Sequence, residues 1–112
     1  MTEALYVVEF GDVSGPGYRN GGVAVLETNR VFGGDSGYYY LGTYTIKDGV
    51  LAATVGVTKH NPAWANVFGD YAGTFTLQMT GQLQGQNIVG MMQRVGTQIT
   101  LPVRLIWTAP LP

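Results

Sequence analysis

The sequence predicts an all-β domain, residues 1–112, whose antiparallel strands run up and down around a shared interior, with one short helix among them. Three observations predict it. Several segments alternate apolar and polar residues with a period of two, the mark of strands with one buried and one wet face. The chain holds 17 glycines, about twice the usual share, scattered among β-branched and aromatic residues, which reads as many short strands with tight bends. Asp48-Gly49 stands between two β-rich runs and is the strongest hairpin signal in the chain, because both positions of such a turn need φ > 0.

Residues 5–10 (LYVVEF) form the first strand. Residues 11–17 (GDVSGPG) read as a loop, since glycine, proline and the Asp and Ser side chains all favour turns. A second strand covers 21–28 (GGVAVLET), and 29–37 (NRVFGGDSG) connects it onward, with 30–32 able to extend. Segments 38–46 (YYYLGTYTI) and 50–58 (VLAATVGVT) flank the Asp48-Gly49 turn. In 61–69 (NPAWANVFG), Asn61 suits a helix N-cap, Pro62 the first helical position and Gly69 the stop, which predicts a helix of about two turns. Segments 73–81, 87–95 and 97–108 complete the strands, with Pro102 marking an edge or a bulge in the last.

Parity assigns the faces. Phe75, Leu77 and Met79 alternate with Thr74, Thr76, Gln78 and Thr80. Leu51, Ala53, Val55 and Val57 share one side, and Ile99, Leu101, Val103, Leu105 and Trp107 share another. Seven or eight such strands close into a meander barrel or stack as a two-layer sandwich; short links and glycines within strands favour the barrel.

Composition narrows the function. At 112 residues the chain fits one domain that buries roughly two-thirds of its unfolded surface. Charged residues are 12% of the total, about half the usual share, so the surface repels itself weakly and suits cover by a partner. A net charge of -1 with scattered basic residues offers no footprint for nucleic acid or an anionic membrane. No stretch approaches the roughly 18 apolar residues of a spanning helix, and the first ten residues lack a signal-peptide pattern. The expectation is a cytoplasmic protein with no membrane and no nucleic-acid partner.

No residue set spells out a reaction. The chain has no cysteine and one histidine, His60, so thiolate chemistry, cysteine metal sites and two-histidine metal sites are absent. Its serines, Ser14 and Ser36, lie in no nucleophile-elbow context. Asp12, Asp35, Asp48 and Asp70 all adjoin glycine, which is turn chemistry. Neither glycine-rich loop has a Walker lysine or a dinucleotide fingerprint. A non-enzymatic protein without metal or cofactor is expected.

The aromatic and methionine residues remain as candidates. On a strand, Tyr38, Tyr40 and Tyr44 point one way and Tyr39 the other. They fit barrel core and rim, or a ligand pocket or interface, because tyrosine joins a large apolar area to a polar tip. Trp64, Phe68, Met79, Met91 and Trp107 complete this candidate ligand-binding or interface set. Small residues (Ala24, Ala52, Ala53, Gly42, Gly56, Gly90) with the flexible Met79, Met91 and Met92 would leave internal space.

Residues 21–44, GGVAVLETNRVFGGDSGYYYLGTY, combine a glycine-led strand, a Gly-Gly-Asp turn and a Tyr-x-Gly-x-Tyr run. In this order they resemble the GrlR-like family, named for a negative regulator of type III secretion; a weaker likeness continues through Asp48-Gly49 and Asn61-Pro62 to Phe68-Gly69. The resemblance implies an eight-stranded lipocalin-like barrel with an apolar interior, a homodimer, and a regulatory protein partner. The family's named regulator meets its partner through an acidic loop, for which this chain has Ile46-Lys47-Asp48-Gly49. Gly33, Gly34 and Asp35 match the family's turn; read from chemistry, the glycines permit unusual φ and Asp35 bonds nearby backbone N–H groups. Two functions follow: a regulatory protein-interaction module, or a carrier or sensor of a small apolar ligand held in the barrel.

Overall fold

In the computed structural model, which describes residues 2–12, 15–62, 68 and 72–112, eight strands pair in sequence order and the eighth returns to the first. They are β1 (Ala4–Asp12), β2 (Gly15–Glu27), β3 (Arg30–Gly34), β4 (Tyr38–Lys47), β5 (Val50–Lys59), β6 (Thr74–Gln84), β7 (Asn87–Arg94) and β8 (Thr100–Pro110). Every pair is antiparallel, and β1 joins β8 from Ala4↔Pro110 to Phe10↔Val103, which closes the barrel and leaves no free edge.

The predicted parity holds along β5, β6 and β8 but not at Ile99, which lies in the connection before β8 and is 38% exposed. Leu51, Ala53 and Val57 are buried while Ala52 and Thr54 are exposed. Leu101, Val103 and Leu105 are buried, with Trp107 packed half-buried against the same core. Tyr38 and Tyr44 turn inward and Tyr39 outward. The Asp48-Gly49 hairpin has φ of 55° and 77° at its two turn residues, the pair of positive values expected there.

Two readings need correction, and a third lies mostly outside the described residues. Residues 11–17 are not a loop: β1 runs to Asp12 and β2 starts at Gly15, with ladder shifts between Val8 and Glu9 and between Phe10 and Asp12. Gly17, in the shift after Phe10, takes φ of 94°, and Gly22, paired with Val8 beside the other shift, takes φ of 154°. The connection over 29–37 contains a full strand, β3, entered by a tight turn at Thr28-Asn29 with φ of 49° and 65°. The helix expected over 61–69 falls mostly outside the described residues; Pro62 and Phe68 are turn residues, and no described residue is helical.

The two barrel ends differ. One carries the two-residue turns 28–29, 48–49 and 85–86. The other carries three longer connections, 35–37, 60–73 and 95–99, beside the short link from β1 to β2. The most deeply buried large side chains, Tyr6, Leu26, Leu51 and Ile88, gather toward the turn end.

Candidate functional site: an apolar cavity under the loop end

Between this packed floor and the loop end lies a cavity of about 450 Å³. That is the size range of small-molecule sites, and three times the ~150 Å³ that stays dry and accepts one benzene. An eight-stranded barrel is just wide enough to be filled by its own side chains or to hold one small ligand. Here the small residues tip the balance, because Ala24 and Ala53 face inward where larger side chains would fill the space. Leu26, Leu51 and Met79 line the floor, and Val8, Val103 and Leu105 one wall. Val55, Val57, Phe75 and Leu77 line the facing wall. Phe68 meets Phe75 edge-on at 5.7 Å between ring centroids, and Phe75 meets Tyr38 in the same way at 5.9 Å.

One part of the wall is polar. Asp35, Ser36 and Gly37 form the connection between β3 and β4 and border the cavity together with Tyr40. The Asp35 carboxylate accepts the Gly37 and Tyr38 N–H groups at 2.8 Å each, and its other oxygen accepts the Tyr40 hydroxyl. The Asp35 N–H donates to the Tyr38 carbonyl at 2.8 Å. Burial, reinforced by the hydrogen bond to Asp35, pushes the Tyr40 phenol far above its ordinary value, so it stays a donor. Asp35 thus bonds backbone N–H groups as its turn chemistry predicts. Gly33 and Gly34, however, do not take positive φ. Gly33 is required by close approach, since a Cβ there would lie 2.0 Å from the Val23 carbonyl oxygen.

His60 braces this loop from outside the cavity. Its Nε2 lies 2.8 Å from the Asp35 carbonyl oxygen, which only accepts, so that nitrogen must carry the proton. Its backbone N–H donates to the Gly37 carbonyl at 2.8 Å. The ring therefore positions the loop through the Asp35 backbone carbonyl. Among the described residues no group of three or more His, Cys, Asp or Glu could hold a metal ion, and no helix is long and apolar enough to cross a membrane.

The residues singled out in the sequence divide. Tyr38, Tyr40, Phe68 and Met79 line the cavity, as does Asp35. Tyr44 is buried below the floor, with its N–H on the Asn29 carbonyl, and Trp107 sits half-buried near the turn end. Met91 points outward, 47% exposed, and its neighbour Met92 takes the inward place. Of the small residues, Ala52 faces out. Trp64 lies outside the described residues. Phe75, Leu77 and Met92 are cavity residues that the candidate set omitted, although the parity of β6 already placed Phe75 and Leu77 inward.

These features define a closed meander barrel with an internal apolar site and one polar wall. No family model matches the chain, and no curated protein matches it.

Proposed function

We propose that the protein binds a small apolar ligand inside the barrel, as a carrier or a sensor. The observation that supports this is the 450 Å³ space, walled by aliphatic and aromatic side chains, at the end where the connections are long. An empty apolar space of this size forfeits dispersion contacts along its whole lining, and a ligand restores them. The test is uptake of pyrene, a neutral apolar fluorophore, together with native mass spectrometry of the gently purified protein. Saturable pyrene binding with an emission spectrum of apolar surroundings, or a co-purified lipid-like mass, supports the reading. A protein that carries no such mass and leaves pyrene in water would overturn it.

A second reading, the regulatory interaction module, draws on the outside of the barrel. Val23, Phe32, Tyr39 and Leu41 are 45%, 36%, 40% and 58% exposed. Phe32 pairs directly with both Val25 and Leu41, and Gly34 sits between Val23 and Tyr39, so they form one apolar face across β2, β3 and β4. Such a face fits a protein partner or a homodimer, as the GrlR-like resemblance implies. Leu41→Asp should turn a dimer into a monomer in sedimentation experiments if this face mediates association; an unchanged sedimentation coefficient at high concentration counts against it.

A further inference from the structure

Most donors on the polar wall of the cavity are already engaged. The Gly37 and Tyr38 N–H groups and the Tyr40 hydroxyl all point at Asp35. The Tyr38 hydroxyl donates at 3.4 Å to the Ala72 carbonyl. What this wall can still offer a newcomer is lone pairs, on the Asp35 carboxylate and on the Tyr40 oxygen, with the Ser36 hydroxyl able to donate or accept. Among the described residues the charged groups that line the cavity are Asp35 and Asp12, and both are acidic. The nearby cations use aromatic faces: Arg94 lies 4.7 Å from the Phe75 ring centroid and 5.7 Å from that of Phe68, and Lys59 lies 5.7 Å from that of Tyr38. Neither cation lines the cavity.

From this we infer that the ligand is an amphiphile whose head group donates hydrogen bonds, a protonated amine or an alcohol, and that the head is received by the Asp35 carboxylate beside Tyr40. The inference rests on the cavity being the binding site. It disfavours the fatty carboxylates that an apolar barrel would otherwise suit, because a carboxylate head would meet the Asp35 carboxylate in an apolar space and would find only the Ser36 hydroxyl as a donor on this wall. The volume sets the size of the tail. At one benzene per ~150 Å³ the cavity takes roughly twelve to eighteen carbon atoms. The tail lies along Val55, Leu77 and Met79 toward the Leu51 floor, and the head stays at the loop end, where water is nearest.

The experiment displaces pyrene from the purified protein with three ligands of one chain length, dodecylamine, dodecan-1-ol and dodecanoate, each below its micelle concentration. The amine should displace pyrene at a concentration at least about tenfold lower than dodecanoate, the worth of one hydrogen bond to a charged group, with the alcohol between them. In Asp35→Asn, whose amide oxygen still accepts the Gly37 and Tyr38 N–H groups, the advantage of the amine over dodecanoate should disappear while pyrene uptake persists. Tyr40→Phe leaves the carboxylate in place and should keep the preference. Dodecanoate displacing as well as the amine overturns the inference and leaves the cavity reading standing. A preference that survives Asp35→Asn removes Asp35 as the receiving group. Failure of the wild-type protein to take up pyrene at all removes the cavity reading and this inference with it.

Discussion

At the turn end of the barrel the strands are joined by residues 28–29, 48–49 and 85–86, and the interior is filled by Tyr6, Leu26, Leu51 and Ile88, each 1% exposed. Toward the loop end lies a 450 Å³ cavity, bordered there by Asp35, Ser36, Gly37 and Phe68. Both ends use the same strands and the same alternation. What differs is side-chain volume: Tyr, Leu and Ile meet at one end, whereas inward-facing Ala24 and Ala53 leave space at the middle. A barrel of fixed strand number can therefore be tightly packed at one end and hold open space toward the other.

Truncating the two ends should separate them most clearly. Ile88 is fully buried at the turn end, so Ile88→Ala leaves a void with nothing to fill it and should cost about 3–4 kcal/mol. Leu77 already faces open space, so Leu77→Ala should cost about 1 kcal/mol or less, since little packing is lost. Urea midpoints measure both. Equal costs would mean that the cavity is collapsed in solution.

Enlargement should reverse the order. Ala4 is 0% exposed, and Ala4→Leu overpacks the turn end at a cost of about 1–3 kcal/mol. Ala53→Leu puts the same atoms into the cavity, so stability should hold or rise while pyrene uptake is lost. An Ala53→Leu protein that binds pyrene as the wild type does would place the probe elsewhere.

High pH tests both ends together. Tyr40 at the loop end, and Tyr6 and Tyr44 at the turn end, are all pushed above the ordinary phenol value of 10.0, in each case chiefly by burial. Tyr40 gains a further upward push from its hydrogen bond to Asp35, and Tyr6 from its neighbour Tyr44. A folded-state value above the unfolded one means that the unfolded chain releases its proton first. This contribution to stability is therefore complete below pH 10 and declines as pH rises above it. Tyr40→Phe should make that decline shallower, as read from urea midpoints between neutral pH and pH 11. An identical slope would show that the Tyr40 hydroxyl is exposed to solvent.

Much of the frame was legible. Phe75, Leu77 and Met79 alternate with Thr and Gln, so one face of β6 is plainly the wet one. In β7 the reading failed at Met91 because Val89 and Met91 are apolar outside while Ile88 and Met92 are apolar inside, which erases the alternation. The turn at Thr28-Asn29 escaped because a β-branched residue at positive φ carries no local signal. It is held by tertiary contact instead, the Thr28 N–H donating to the Glu3 carboxylate at 2.6 Å. The cavity could not be read as such, since it is the difference between a barrel's width and the summed volume of side chains from eight strands. Asp35 was legible as a turn former, but its place on the cavity wall follows from the barrel's curvature.

The smallest effect concerns the glycines of the two ends. Gly49 has φ of 77°, and although a Cβ there would meet nothing within 4 Å, any L side chain is strained in that conformation. Gly49→Ala should therefore cost about 1 kcal/mol through backbone strain alone. Gly73, at the loop end, also has open space around it but no positive φ. Gly73→Ala should fall within about 0.5 kcal/mol of the wild type, and on the unfolded-state argument it leans toward stabilisation. Because neither alanine touches a neighbour, any difference between the two midpoints reports backbone conformation and nothing else. If Gly49→Ala proves neutral, the type I′ geometry at Asp48-Gly49 is wrong, and with it the register that brings Leu51 and Ala53 inward.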